Sequence, residues 1–177
     1  MELTQSELVV LGLIIEQPQH GYDLEKIIEV RGIRQWTEIG FSSIYYLLSK
    51  LEKRGLIHAS EASGAATSRR VFHATKRGRE TAARCTLALI QELLPVAHPL
   101  LVGVSNLALI SESDYRKAIR ERLAQIDARI AAVKHAEWTQ APLGMPAREV
   151  FSYSLSLLEA ERSWLAARAQ VPDDGQG

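Results

Sequence analysis

Hydroxyl-bearing and cationic side chains recur within one short stretch of the sequence, residues 42–54. Serine and tyrosine hydroxyls can hydrogen-bond to the edges of nucleic-acid bases, and lysine and arginine can contact phosphates. The residues of this kind are Ser42, Ser43, Tyr45, Tyr46, Ser49, Lys50, Lys53 and Arg54. Their chemistry suits recognition of a nucleic acid, provided that one structural element presents them together.

Apolar residues at helical spacing predict that element. They are Ile44, Leu47, Leu48 and Leu51, at i, i+3, i+4 and i+7. This spacing lines one face of an α-helix and leaves most of the polar set on the opposite face. Gly55 predicts the end of the helix. The segments 56–60 and 70–74 flank a loop of small residues, which predicts a β-hairpin. A winged helix-turn-helix is therefore expected, with one helix in a DNA major groove and the hairpin on the neighbouring backbone.

Charge is segregated along the chain although the whole sequence is neutral, with 21 basic and 21 acidic residues. Residues 50–84 hold nine cations against three anions, a net charge of +6. Such a patch on the expected reading helix and wing favours phosphate binding, the alternative being a solvated charged face. Arg69 and Arg70 stand at the foot of the returning strand, where guanidinium groups can bridge phosphates.

Three motifs resemble the PadR family of transcriptional regulators: HGYDL at 20–24, SSIYYLLSKLEKRGLI at 42–57 and RRVFHATKRGRE at 69–80. The resemblance spans residues 4–84 and extends more weakly to about residue 169, as in longer members with a virulence-activator-type C-terminal helical domain. Tyr46 stands where many members have proline, and Phe72 where many have tyrosine. The resemblance implies ligands, where members have them, that are small aromatic or amphipathic molecules.

The N-terminal elements are expected to be two helices, at residues 5–16 and 21–30, with Thr4 as the first N-cap. The first is apolar on every side, so Val9, Leu13 and Ile14 are predicted to face a second partner, either the C-terminal region or another subunit. Trp36 is predicted to plug the core. Thr75 is predicted to cap a fourth helix that runs through Arg84 towards Leu94 and is ended by Pro95.

The C-terminal region is predicted to form two long helices, at 114–138 and 147–169, with Ser111 or Ser113 as the first cap. Their apolar positions recur in heptads. The seam residues are Ile119, Leu123, Ile126, Ile130, Val133, Phe151, Leu155, Leu158 and Leu165. A homodimer is predicted on this seam and on Val9 and Leu13, and an intrachain helical hairpin is the alternative. Residues 170–177 are expected to be disordered.

Catalytic and metal-binding patterns are absent from the sequence, which has no G-x-S-x-G and no G-x-x-x-x-G-K, and whose five histidines have no ligand spacing. A non-enzyme without cofactor or metal is therefore predicted. Cys85 is predicted to be a buried small residue, with redox sensing as the alternative. The N-terminal residues do not resemble a signal peptide, and the most apolar stretch, 95–110, is too short to span a membrane. A cytoplasmic protein without membrane contact is expected.

The fold class predicted is mainly α, with a winged helix-turn-helix DNA-binding domain at 1–84 and a helical dimerisation and effector domain at 85–169. The predicted function is a dimeric DNA-binding regulator, foremost a repressor of a palindromic operator, released by a small aromatic effector. The alternative is a winged-helix module that binds protein. Candidate contacts to double-stranded DNA are the serines, tyrosines, lysines and arginine listed above for residues 42–54, together with Tyr22, Arg69 and Arg70. Tyr115, Trp138, Tyr153 and Trp164 could line a ligand pocket, although each could instead be core.

Overall fold

The computed structural model describes residues 2–40, 43–61 and 70–170. Three parts of the sequence discussed above lie outside these residues: Ser42, the whole loop 62–69 between the wing strands with Arg69, and residues 171–177 of the predicted disordered tail. The described chain forms two compact units that divide between Pro95 and Val96, so residue 84 lies inside a helix of the first unit. The predicted fold class is confirmed: helices dominate, with one small antiparallel sheet.

The N-terminal unit follows the predicted order of elements, with one addition. It comprises α1 (Gln5–Glu16), β1 (Gln19–His20), α2 (Gly21–Val30), a 3₁₀ turn (Ile33–Gln35), α3 (Ser43–Lys53), β2 (Ile57–Glu61), β3 (Arg70–Ala74) and α4 (Lys76–Gln91). The sheet order is β1-β3-β2, and Ile57 is the partner of Ala74 in the antiparallel β2–β3 pair. The addition is β1, whose two residues are too few to show strand periodicity.

Capping residues fix where three helices begin or end. The side chain of Thr4 accepts a bond from the Glu7 amide, and the Glu7 carboxylate accepts one from the Thr4 amide, which makes a capping box at the start of α1. Gly55 has φ of 67°, in the left-handed region, just past α3. Thr75 accepts a bond from the Gly78 amide at the start of α4. These caps agree with the sequence predictions.

Helix α1 is enclosed within its own unit, which corrects one expectation. It packs against α3, α4 and β3. Leu13 and Ile14 are buried in the core of this unit, and Val9 is half-buried against it. The prediction that this face lacks a partner inside the unit is therefore wrong, because α4 and the sheet cover it.

Two further expectations for this unit are corrected. Trp36 does not plug the core, since 48% of its surface is exposed and Ile33 and Ile39 are buried on either side of it in sequence. Helix α4 ends at Gln91, earlier than Pro95 requires. Cys85 is buried, as predicted for a small hydrophobic residue.

The C-terminal unit is a pair of long helices preceded by a short one. Helix α5 (Pro99–Ser105) and a 3₁₀ turn (Leu107–Leu109), neither of which was predicted, lead to α6 (Glu112–Thr139) and α7 (Met145–Ala169). Ser111 caps α6. The ion pairs Arg122–Glu161 and Asp127–Arg162 join the two long helices. Among the described helices, none has a stretch that is both long and apolar enough to cross a membrane.

The predicted heptad seam lies between α6 and α7 of one chain. Its most enclosed members are Ile119, Ile130, Val133 and Leu165, which are buried. The half-buried members are Leu123, Ile126, Phe151, Leu155 and Leu158. The seam therefore holds the intrachain hairpin together, which was the alternative left open by the sequence.

Candidate nucleic-acid interface

The outer face of α3 presents polar side chains because its apolar face is fully used in the core. Ile44, Leu48 and Leu51 are almost completely buried. The opposite face is an open groove lined by Tyr46, Ser49, Lys50, Lys53 and Arg54. Five of the predicted contact residues therefore share one continuous surface, presented by a helix that cannot rotate without exposing its apolar stripe.

Three tyrosines extend this surface. Tyr22, Tyr45 and Tyr46 are each about two-thirds exposed or more, although Tyr rings at a protein surface usually pack against apolar neighbours. A Cβ atom at Gly21 would lie 2.8 Å from Cε1 of Tyr45. The absence of a side chain at Gly21 therefore lets the Tyr45 ring approach the start of α2.

The serines divide between two roles. Ser49 is exposed in the groove. Ser43 is half-buried, and its hydroxyl donates to the carbonyl of Gly40 over 2.6 Å. Ser43 thus fixes the first turn of α3, and only the remaining acceptor capacity of its oxygen is open to a ligand. Ser42, also a predicted reader, lies outside the described residues.

A buried carboxylate holds two of the predicted phosphate-binding cations. Glu7 is only 1% exposed. Its Oε1 lies 3.0 Å from Nζ of Lys50 and 3.2 Å from Nη1 of Arg54. Arg54 also donates through Nη2 to the carbonyl of Glu2 over 2.7 Å. The C-terminal end of α3 is thereby tied to the N-terminal end of α1.

The environment of Glu7 shifts its acidity. Burial alone would raise the pKa of this carboxyl, but the bond from the Thr4 amide and the ion pair with Lys50 outweigh burial, so the pKa is lowered from its ordinary value. The carboxylate thus remains charged in the folded protein at neutral pH. Its charge offsets part of the positive charge on the outer face of α3.

Arg70 is held in a similar way at the wing. Its Nη2 lies 2.6 Å from Oε1 of Glu52 on α3, and its guanidinium carbon lies 5.3 Å from the centre of the Phe72 ring. Arg69, its predicted companion, lies outside the described residues. Lys53, by contrast, is exposed in the groove and makes no ion pair with any described residue.

Further cations follow at the start of α4. Lys76 and Arg77 are exposed, and Lys76 lies 4.0 Å from Glu80. Arg84 pairs with Glu2 over 2.9 Å, and this bond lowers the pKa of the Glu2 carboxyl. The net charge of +6 counted along residues 50–84 therefore overstates what the surface presents, since Glu2 and Glu7 lie outside that stretch of sequence.

The two histidines of the described wing strands pair with each other. His58 and His73 are partners across β2 and β3, and their rings stack with centroids 5.3 Å apart. The ring of His73 also shares a hydrogen bond with Ser60. Within residues 2–40, 43–61 and 70–170, three or more possible metal ligands are nowhere grouped.

The four aromatic residues considered for a ligand pocket do not converge within one chain. Tyr115 and Trp138 stand near opposite ends of α6, roughly 35 Å apart at the rise of an α-helix. Trp138 and Tyr153 are largely exposed, and Trp164 lies under the guanidinium of Arg168. One chain alone therefore does not enclose a pocket with all four.

Sequence reasoning missed the two carboxylates, Glu7 and Glu52, that hold the cations of this surface. A signal existed for Glu7: a glutamate three residues after Thr4 is typical of a capping box, and Glu7 directly precedes the apolar run of α1. For Glu52 no local pattern exists, because its partner Arg70 comes from a strand that follows the wing loop.

Comparisons with known proteins bear on this surface. The family model described as the transcriptional regulator PadR-like family matches residues 10–84, which contain α2, α3, the sheet and the first half of α4. Comparison with curated protein sequences gave no match.

Solved structures extend the likeness to nearly the whole chain. Bacillus subtilis PadR in complex with operator DNA has 18% identity and a TM-score of 0.78, over 93% of this chain and 97% of that one. Bacillus subtilis PadR in complex with p-coumaric acid has 17% identity and a TM-score of 0.74, over 91% and 94%. The Vibrio cholerae virulence activator AphA has 16% identity and a TM-score of 0.68, over 92% and 95%. At these identities the likeness establishes the fold.

Proposed function

We propose that this protein is a dimeric, sequence-specific DNA-binding regulator that represses transcription from a palindromic operator. The match of residues 10–84 to the family model of PadR-like transcriptional regulators supports this proposal. The N-terminal unit is the DNA-binding domain, and the C-terminal helices serve dimerisation and effector response. Helix α3 enters the major groove, and the wing lies against the adjacent backbone.

One observation carries this proposal: the exposed face of α3 combines the hydroxyls of Tyr46 and Ser49 with three cations in one open groove. Tyr45, Tyr46 and Ser49 are the proposed base contacts, with Tyr22 at the flank. Lys50, Lys53 and Arg54 are the proposed phosphate contacts, of which Lys53 is held by no carboxylate among the described residues. Lys50 and Arg54 keep about a third or more of their side-chain surface exposed, so phosphates can still reach them.

A pair of aromatic variants, one on the exposed face of α3 and one outside it, tests the proposed base contacts. Duplexes bound by the wild-type protein are first enriched from a random pool, and affinities are then compared for the enriched duplex and a random one. Tyr46→Ala should lower the ratio of these affinities, since Tyr46 is 67% exposed on α3. Trp36→Ala removes an aromatic side chain that is 48% exposed and is not among the proposed contacts, so it should leave the ratio unchanged. A ratio unaffected by Tyr46→Ala, with the fold intact, contradicts the proposed docking.

The dimer is supported by apolar side chains that one chain leaves in solvent. Large exposed apolar residues are concentrated between positions 87 and 110: Leu87, Ile90, Leu93, Leu94, Val96, Leu101, Val102, Leu109 and Ile110. Soluble monomers rarely expose so much apolar surface. The seam of α6 and α7 is used inside the hairpin, so we place the interface on this segment and on the outer side of α7, at Val150, Tyr153 and Leu157.

Control of DNA binding by a small ligand is a separate part of the proposal. A small aromatic acid is the proposed class of ligand, which p-coumaric acid represents for Bacillus subtilis PadR. A pocket that used Tyr115, Trp138, Tyr153 and Trp164 together would need side chains from two copies, because these residues lie near opposite ends of the hairpin. Titration with p-coumaric acid, followed by tryptophan fluorescence and by release of the enriched duplex, tests this part separately.

A further inference from the structure

One ion pair joins α3 to the wing, the two elements that both contact DNA in the proposed function. Glu52 lies on α3, and Arg70 lies at the start of β3. Their closest atoms, Oε1 and Nη2, are 2.6 Å apart. The Phe72 ring lies below the guanidinium at 5.3 Å. Arg70 is therefore directed toward α3 rather than outward from the wing.

Both partners remain accessible to solvent. Glu52 keeps 31% and Arg70 keeps 55% of its side-chain surface exposed. Exposed ion pairs contribute at most about 1 kcal/mol, so a well-placed phosphate can displace the carboxylate from the guanidinium. Until then the carboxylate neutralises the charge of Arg70, and a neutralised cation adds little attraction to DNA.

The neutralisation of Arg70 by Glu52 affects binding to random DNA differently from binding to a specifically recognised sequence. Binding to random DNA rests almost wholly on phosphate contacts, whereas a chosen sequence adds base contacts that fix the register of the backbone. A fixed register can hold one phosphate at Arg70 in every complex. On random DNA the phosphates are not fixed, and the Glu52–Arg70 pair persists.

We propose that Glu52 is a specificity-determining residue that withholds Arg70 from random DNA and yields it to a phosphate of the correctly docked sequence. This inference rests on the proposed function, since it needs α3 and the wing to bind one duplex. It makes the carboxylate a positioning group that acts through Arg70 and does not itself contact a base.

The test uses Glu52→Gln, which retains the shape of the side chain and removes its charge. Affinities are measured for a random duplex and for the duplex enriched by the wild-type protein, between about 50 and 200 mM salt. Glu52→Gln should bind the random duplex several-fold more tightly, with a salt slope steeper by about one counterion. The enriched duplex should gain less, so the affinity ratio falls.

Two further variants separate this role from general charge. Glu80→Gln removes a carboxylate from α4, 4.0 Å from Lys76, and serves as the matched control. It should change both affinities by the same small factor. The double variant Glu52→Gln/Arg70→Gln removes a neutral pair. It should bind the random duplex like the wild type, and the enriched duplex more weakly.

The outcomes are distinct. If Glu52→Gln changes both affinities equally, as Glu80→Gln does, or if the double variant weakens random binding as well, the inference is overturned. If the wild type binds no duplex with salt dependence, the proposed function fails instead. Thermal unfolding of each variant confirms that it is folded, and the double variant provides a second route if Glu52→Gln alone unfolds.

Discussion

The two units of this protein use apolar side chains in different ways. In the N-terminal unit, eighteen buried residues between Leu3 and Cys85 form one core, and α3 packs on this core with its polar face outward. In the C-terminal unit, the buried apolar residues are Ile119, Ile130, Val133 and Leu165, whereas Leu101, Leu109, Trp138 and Leu157 are more than half exposed. The first unit can hold a surface rigid by itself. The second has apolar surface left over, which is what a protein needs in order to associate.

The largest difference between the two units is expected in the free energy of unfolding, when a helical glycine of each is replaced by alanine. A Cβ at Gly78 would lie 2.0 Å from the backbone oxygen of Leu56, so Gly78→Ala must displace α4 from Leu56. This substitution should lower the free energy of unfolding by about 3–4 kcal/mol. A Cβ at Gly103 meets nothing within 4 Å, so Gly103→Ala in α5 should be neutral or stabilise by about 0.5–1 kcal/mol. Chemical denaturation followed by circular dichroism checks both. Equal effects would mean that the close approach at Gly78 is absent in solution.

The next contrast concerns association. Leu101 is 64% exposed and Leu109 is 80% exposed, and both lie in the C-terminal unit. Replacing both by serine in the full chain should weaken the proposed dimer by about tenfold or more, because apolar area is lost from the interface. The control is Val30→Ser at the end of α2, which removes an apolar side chain of similar exposure from the N-terminal unit. Sedimentation equilibrium measures the dissociation constant of the dimer. A constant that the double substitution leaves unchanged excludes this segment from the interface.

A smaller difference in stability is expected between the loss of a buried carboxylate and the loss of an exposed one. Glu7→Gln leaves Lys50 and Arg54 without their partner and should cost about 1–2 kcal/mol at neutral pH. The pKa of Glu7 is lowered by folding, so its contribution is present above the unfolded value of about 4.3 and is lost as pH falls through the folded value. The cost of Glu7→Gln should therefore shrink in acid.

The control for that measurement is Glu161→Gln in the C-terminal hairpin. Glu161 pairs with Arg122 over 2.6 Å, but both side chains keep about a third or more of their surface exposed. Removing an exposed ion pair should cost less than about 1 kcal/mol. A greater loss at Glu161 than at Glu7 would show that the capping box and the ties to α3 are not what stabilises the start of α1.

Much of the N-terminal unit could be read from sequence because its signals are local. Thr4, Gly55 and Thr75 act through neighbours within a few residues, so the start of α1, the end of α3 and the start of α4 follow from them. Trp36 was misread because an aromatic residue in a turn has no periodicity to show which side it faces. The two-residue β1 gave no strand pattern for the same reason.

The surface charges could be counted from sequence but not paired. Lys50, Arg54 and Arg70 have the residue types of phosphate contacts, and only the fold brings Glu7 and Glu52 to them. The same limit applies to the heptads of α6 and α7. A repeated apolar stripe requires a partner helix, but it does not state whether the partner belongs to the same chain or to another copy.

The salt dependence of duplex binding tests the central claim most directly, with one lysine removed from each unit. Wild-type affinity for a random duplex should fall steeply between about 50 and 200 mM salt. Lys53→Gln, on the groove of α3, should flatten that slope by about one counterion, and Lys117→Gln, on α6, should leave it unchanged. A wild-type affinity that does not respond to salt, or a Lys117→Gln variant that flattens the slope as much as Lys53→Gln, would contradict DNA binding through the face of α3.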